Sequence, residues 1–204
     1  NPALAFVADD PDYLLAGSDG GLYETFDHGE SWRFVSNLPV TQFYKMGLDN
    51  AEPFYNIVGG TQDNGTLYGP SRTASTHGVQ NRDWIVEYGA VGYDTSVDPE
   101  DPNLIYLTWQ NGHLLRYDLQ TWEPLDLQPN AAPEDEPERW NWDAPLEISP
   151  HSSSTLYFAS QRLWKSDDRG DSWTAISGDL SKGVNRYEMP MQDGVPGISA
   201  LYDN

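Results

Sequence analysis

The sequence predicts an all-β chain of repeated sheets, on three observations. Its composition is rich in large rings and turn formers, one pattern recurs four times at nearly even spacing, and a sharp turn signature appears twice at the same point of that pattern. The chain has 204 residues, enough to bury one ordinary core. Eight Trp and twelve Tyr supply material for sheet faces, while 18 Gly and 15 Pro impose so many turns that the strands must be short.

Each repeat runs from a Pro-containing turn into a short apolar strand, a polar Gly turn and a second strand. The first is Asp10-Pro11 to Gly17 followed by Asp19-Gly20-Gly21-Leu22-Tyr23, and the second is Glu52-Pro53 to Gly60 followed by Asp63-Asn64-Gly65-Thr66-Leu67-Tyr68. The third is Asp101-Pro102 to Leu107 followed by Gln110-Asn111-Gly112 and His113 to Arg116. The fourth is Ser149-Pro150, then Thr155 to Ser160 and Leu163-Trp164-Lys165. The period is roughly 40–50 residues, the length of one four-stranded propeller blade. Helical solenoids share such periods, but these apolar runs are short, β-branched or aromatic, and broken by Gly turns. Asn64-Gly65 and Asn111-Gly112 are hairpin dipeptides, since both residue types tolerate positive φ. The fold class expected is therefore a β-propeller with about four blades, near 1–45, 46–95, 96–145 and 146–204. Pro70 to Arg82 and Pro129 to Arg139 read as long surface loops, and Ile198 to Tyr202 as a trailing strand.

Two repeats carry S/T-x-D-x-G-x-x-W. One is Thr25, Asp27, Gly29 and Trp32; the other is Ser166, Asp168, Gly170 and Trp173. In such an Asp-box the carboxylate accepts N–H groups across the turn, Gly takes a backbone conformation other residues resist, and Trp fills the space beneath. These eight residues are expected to be structural.

Charge and composition exclude several function classes. Eleven basic against thirty-two acidic residues leave −21, a field that repels phosphate backbones and anionic membranes. The balance, with Lys only at 45, 165 and 182, fits a protein of high-salt medium and an acidic secreted protein equally well. The absence of Cys removes disulfides, thiolate metal sites and cysteine nucleophiles. No run of about 18 apolar residues is present to span a membrane. The chain opens on Asn1-Pro2 without Met or a leader pattern, which reads as a processed or excised product.

Chemistry is harder to place. A glycosidase needs two carboxylates about the scissile bond, and Asp19, Asp63, Glu87 and Asp94 lie near turns, but among thirty-two acids such a choice has little specificity. No metal site is expected: His28, His77, His113 and His151 are far apart, and Asp167 to Asp171 lacks the spacing of a calcium loop. Calcium is drawn to an acidic surface in general, but no motif here holds it. The most site-like residues are Gln62, Asp63 and Asn64, with Arg82, Asp83 and Trp84 and with Trp140, Asn141 and Trp142, since Trp, Asn and Asp together stack on and hydrogen-bond a sugar or peptide. The competing and preferred reading is that the three Trp fill space between blades.

The two Asp-boxes with Ser18 to Tyr23 resemble BNR/Asp-box propellers, a group that includes sialidases, xyloglucanases and sortilin (Vps10-type) ectodomains. The stretches Gly59 to Thr66, Gly69 to Arg72, Asn81 to Trp84, Arg139 to Leu146 and Ser149 to His151 are similar to bacterial secreted sortilin-like proteins also labelled "glycosyl hydrolase, BNR repeat". That resemblance covers nearly the whole chain. It implies a longer parent with more blades, a secreted (extracellular or periplasmic) location, and a protein or carbohydrate ligand. It also implies an acidic Gly-rich turn after Trp84, where this sequence has Glu87-Tyr88-Gly89-Ala90-Val91-Gly92-Tyr93-Asp94 and so lacks an acid at 90 and 91. The expected function is a non-catalytic binding module whose open edges are covered by further blades or a partner subunit. The alternatives are part of a glycoside hydrolase and an accessory subunit of a larger extracellular assembly.

Overall fold

The computed structural model describes residues 3–18, 20–38, 41–62, 64–87, 92–184, 190–191 and 195–196. Asp19, Asp63, the altered turn at 89–91 and the trailing strand at 198–202 lie outside the described residues. Regular structure among them is strand apart from two single 3₁₀ turns. It forms four antiparallel four-stranded meanders, together with a two-residue ladder of Pro190–Met191 on Val195–Pro196. The chain is all-β and built of propeller blades. It divides into two compact units, residues 1–41 and 42–204.

The first unit is one sheet: β1 (Ala3–Val7), β2 (Asp10–Ser18), β3 (Gly21–Thr25) and β4 (Arg33–Phe34), in that order. Buried Glu24 on β3 ties the two strands that flank it, accepting from the Tyr13 hydroxyl at 3.2 Å and from Arg33 Nε at 2.8 Å. The Phe34 ring lies against Gly21, where a Cβ would come within 2.7 Å of it.

The second unit holds three sheets. They are β5 (Phe43–Leu48) to β8 (Ile85–Glu87) through β6 (Asn56–Thr61) and β7 (Thr66–Pro70), then β9 (Gly92–Val97) to β12 (Glu123–Asp126) through β10 (Leu104–Trp109) and β11 (His113–Asp118). The last is β13 (Leu146–Ile148) to β16 (Thr174–Ala175) through β14 (Leu156–Ala159) and β15 (Leu163–Ser166). Alternation along the strands sends every second side chain to one sheet face, and these faces meet in two cores. Val58 with Val97, Ile105, Leu107 and Tyr117 fills the space between the first two sheets. Tyr106 and Leu114 with Leu127, Ala144, Leu146, Leu156 and Phe158 fill the space between the second and third. Thus Ile105 and Tyr106, neighbours on β10, serve opposite interfaces.

The inner ends of the first strands are tied by side-chain turns at equivalent places. Asp49 Oδ1 accepts from Ala51 N at 3.1 Å, and Asp98 Oδ1 accepts from Glu100 N at 2.9 Å. Each residue follows its strand directly and precedes a Pro-containing turn, so an Asx turn supplies the backbone partners that the sheet no longer provides.

The two Asp-boxes make the same bonds. Thr25 Oγ1 and Ser166 Oγ donate to Oδ1 of Asp27 and Asp168 at 2.7 and 2.8 Å, and accept from Gly29 N and Gly170 N at 3.0 and 2.8 Å. The same Oδ1 atoms accept from Ser31 N and Ser172 N, both at 2.9 Å. The residue after each Asp, His28 or Arg169, adopts left-handed φ of 58° or 60°. The boxes differ in their Trp. Trp173 packs on the core beside Phe158, whereas Trp32 is 44% exposed and donates through Nε1 to the Gly29 carbonyl at 3.1 Å.

Candidate functional site

The first strands of the three sheets in residues 42–204 run side by side, with β9 beside both β5 and β13. Together they line an open groove of about 590 Å³ that includes Lys45, Met46, Asp94, Ser96 and Glu147.

Two β-bulges shape its upper end. On β5, Phe43 pairs with Thr61 and Lys45 with Gly60, leaving Tyr44 as an extra residue. On β9, Gly92 pairs with Trp109 and Thr95 with Leu107, so Tyr93 and Asp94 together face Thr108. The Thr108 hydroxyl accepts from Asp94 N at 2.9 Å and donates to Asp94 O at 3.3 Å, satisfying backbone that the bulge frees from the ladder.

In a regular strand, consecutive side chains point to opposite faces. Here two consecutive pairs meet across the same boundary. The Tyr44 and Tyr93 ring centroids lie 4.8 Å apart, and Lys45 Nζ lies 3.0 Å from Asp94 Oδ2. Trp142, in the segment before β13, sets its ring edge against Tyr93 at 6.2 Å and 70°. A third strand joins when Leu146 N donates to Asp94 Oδ2 at 3.5 Å.

Close backbone packing makes this possible. A Cβ on Gly60 would fall 2.4 Å from the Gly92 carbonyl carbon, so β6 and the start of β9 approach more closely than any side chain allows.

Electrostatics keep Lys45 charged. Burial opposes the Lys45 charge, but the bond to Asp94 and the charges of Asp94, Asp143 and Glu147 outweigh it and raise the ammonium pKa. The groove therefore holds the Lys45 ammonium with the carboxylates of Asp94 and Glu147, and the Tyr44–Tyr93 contact lies beside it, each ring one residue before a member of the pair.

The nine residues singled out from sequence are only partly gathered. Gln62 and Asn64 sit on the β6–β7 turn, where Gln62 N donates to Gln42 O at 3.3 Å beside the start of β5, and Asn64 Nδ2 donates to Gln62 O at 2.9 Å. Asp63 lies outside the described residues. Arg82, Asp83 and Trp84 lie at the far end of the same hairpin: Trp84 packs on Gly69, and Asp83 Oδ2 accepts from Gln80 N at 2.8 Å, closing the turn before β8. The three tryptophans part ways. Trp84 packs within its sheet, and Trp140 stacks on Phe158 at 4.9 Å and covers Gly112 in the core between sheets. Only Trp142 meets Tyr93, beside the groove. Asn141 is exposed, its Oδ1 accepting from Trp142 N at 2.7 Å.

Sequence reasoning missed Tyr44, Lys45 and Tyr93. A signal was available. Tyr44-Lys45 and Tyr93-Asp94 are both aromatic–charged dipeptides, and each stands five residues before an Asp that caps its strand, Asp49 or Asp98.

A second network lies at the opposite end of the sheets. Arg116 Nη1 donates to Arg169 O at 2.7 Å and its Nη2 pairs with Asp171 at 2.9 Å, while Arg169 pairs with buried Asp98. Both guanidinium groups are thus engaged within the protein. The loop before β13 is pinned as well: Glu138, its side chain 3% exposed, takes Arg162, the Ser160 hydroxyl and Trp164 Nε1. Among the described residues no group of three His, Asp or Glu is disposed to hold a metal.

No protein-family model matches the chain, and no curated protein matches it. Several solved structures are similar to it. One, described as YCF48 bound to D1 peptide, is 14% identical over 81% of this chain and 50% of its own, with a TM-score of 0.43. A GH74 xyloglucanase from Xanthomonas campestris is 16% identical over 86% and 30%, with a TM-score of 0.44. An auxiliary nutrient binding protein from Bacteroides thetaiotaomicron is 13% identical over 95% and 45%, with a TM-score of 0.46. The chain spans half or less of the length of these structures. At such identities and scores they say nothing of its activity, ligand or partner.

Proposed function

We propose that the protein is a non-catalytic propeller module, exported to an extracellular or periplasmic space, that binds a protein or carbohydrate ligand in the groove along β5, β9 and β13. The observation that carries this reading is the doubled bridge of Tyr44 to Tyr93 and Lys45 to Asp94, made by two bulges at equivalent positions of successive sheets. Bulges that re-aim side chains are a device of binding and active sites, and a regular strand would send one member of each pair away. The sortilin-like resemblance of the sequence agrees with a binding role, and further blades or a partner subunit complete the sheet stack.

Binding is favoured over hydrolysis because a glycosidase needs two carboxyls free to act on the scissile bond. Asp94, the sequence candidate that the groove contains, is committed to Lys45.

The test sets the intact protein against panels of oligosaccharides and peptides, scored for both binding and turnover, with Asp94→Asn and Asp63→Asn. The expected result is ligand binding without turnover, and loss of binding in Asp94→Asn while near-ultraviolet circular dichroism still shows a folded protein. Turnover by the wild type that either substitution abolishes would overturn the non-catalytic reading.

A further inference from the structure

We infer that the ligand of this groove is a neutral oligosaccharide, whose hydroxyls bond Lys45 and Asp94 and whose sugar rings lie on Tyr44 and Trp142, the two partly exposed rings that buried Tyr93 holds beside the groove. This rests on the groove being the binding site, as proposed above, and adds the class of ligand.

The rings come first. Tyr44 is 41% exposed and Trp142 is partly exposed, while Tyr93 between them is buried and holds both in place at 4.8 and 6.2 Å. The 41° tilt and the near-perpendicular edge contact keep the two outer rings from stacking flat on Tyr93, so their own faces remain for a ligand. A sugar ring offers an apolar C–H face to such a surface and a rim of hydroxyls beyond it.

The charged pair serves that rim. An ammonium carries three donors and a carboxylate about four acceptor sites, more than their mutual bond uses. With a donor and an acceptor 3.0 Å apart, the pair addresses two neighbouring hydroxyls of one sugar, each of which both donates and accepts.

Charge selects against acidic sugars. The Lys45 cation is already balanced by Asp94 and lies within the fields of Asp143 and Glu147, in a chain of net charge −21. A uronate or sialate carboxylate meets repulsion there with no free cation to offset it.

Backbone geometry disfavours a peptide. Extended peptides bind open sheet edges by adding a strand to a continuous row of N–H and C=O groups. β5 and β9 each stand first in their sheet, and each is interrupted by its bulge at the very place where the rings and charges are. Bulges of this kind blunt an edge against strand addition.

The experiment is calorimetric titration of the intact protein with neutral hexasaccharides derived from β-glucan, xylan and mannan. Oligogalacturonate and a set of acidic and basic decapeptides form the parallel arms, and Tyr44→Ala, Trp142→Ala and Trp122→Ala the variants. Trp122 is an exposed Trp on the β11–β12 turn, outside the groove. At least one neutral hexasaccharide is expected to bind. Tyr44→Ala and Trp142→Ala should each weaken it about tenfold, the loss of one stacking contact, while Trp122→Ala leaves it unchanged. Near-ultraviolet circular dichroism checks that each variant is folded. Should a decapeptide bind in an Asp94-dependent way while no sugar does, the carbohydrate assignment falls and the groove reading stands. Binding of no panel member, or sugar binding indifferent to Tyr44 and Trp142, overturns it too. Oligogalacturonate binding as tightly as a neutral hexasaccharide overturns the claim of neutrality.

Discussion

Arg169 Nε donates to Asp98 Oδ2 at 2.7 Å, joining the Asp-box of the fourth sheet to the end of β9 in the third. The Asp98 side chain is fully buried, and the guanidinium also reaches the Ser153 hydroxyl at 3.1 Å. Removing Arg169 leaves a buried carboxylate with only its backbone donors. Arg169→Ala is expected to cost about 2 kcal/mol, less than the roughly 3–5 kcal/mol of a wholly buried pair because the Arg is partly solvated. Arg169→Asn separates charge from conformation, since Asn tolerates the left-handed φ of 60° found here. Denaturant unfolding of both variants, and of each combined with Asp98→Ala, should give equal losses and a strong coupling. A loss confined to the Ala variant would assign the effect to the backbone instead.

Acid should weaken the Asp-boxes first. The Ser31 hydroxyl and amide hold Asp27 at about 2, and the equivalent Ser172 groups hold Asp168 below its ordinary 3.8. A carboxyl with a depressed folded pKa contributes stability above its unfolded pKa, and that contribution disappears as pH falls through the folded value. Stability should therefore drop between about pH 4 and about pH 2. Ser31→Ala and Ser172→Ala bring the folded pKa back toward the unfolded one, so urea midpoints plotted against pH should be flatter for both. Slopes equal to the wild type would contradict this.

Gly60→Ala places a methyl group 2.4 Å from the Gly92 carbonyl carbon, which is backbone and cannot rotate away. The expected cost is about 3 kcal/mol, at the upper end for overpacking. Gly178→Ala is the control, because no atom lies within 4 Å of its Cβ position. Thermal unfolding of the two variants should separate them clearly.

Trp140 should behave as core and Trp142 as surface. Trp140→Ala removes the ring stacked on fully buried Phe158, and Phe158→Ala empties the same core; each is expected to cost about 3–5 kcal/mol. Trp142→Ala, on a partly exposed ring, should cost about 1 kcal/mol or less. Equal destabilisation by Trp140→Ala and Trp142→Ala would return Trp142 to the core.

Local features of the fold were legible wherever one residue decides one conformation. Asn111 and Gly112 take positive φ of 65° and 72°, as the dipeptide predicts for a tight hairpin. The Asp-box spacing carries the side-chain bonds of Asp27 and Asp168 within eight residues, so those bonds need no distant partner. The candidate site is different. From the spacing alone Trp84, Trp140 and Trp142 look alike, and only their neighbours separate them: Gly69 for the first, Phe158 and Gly112 for the second, Tyr93 for the third.

Sequence by itself thus determined that the chain is all-β, that its repeats are propeller blades, and where its turns fall, because hairpins, Asx turns and Asp-boxes are short-range structures set by side chains a few residues apart. Tertiary structure decided which residues form the groove and the ring contact beside it. Lys45 meets Asp94 and Tyr44 meets Tyr93 across forty-nine positions, through bulges that appear only when strands are paired and through a Gly60–Gly92 approach that exists only when sheets are stacked. No periodicity encodes a bulge one residue long. Its effect is to turn a side chain from one face of a sheet to the other, and that is what brings these four together.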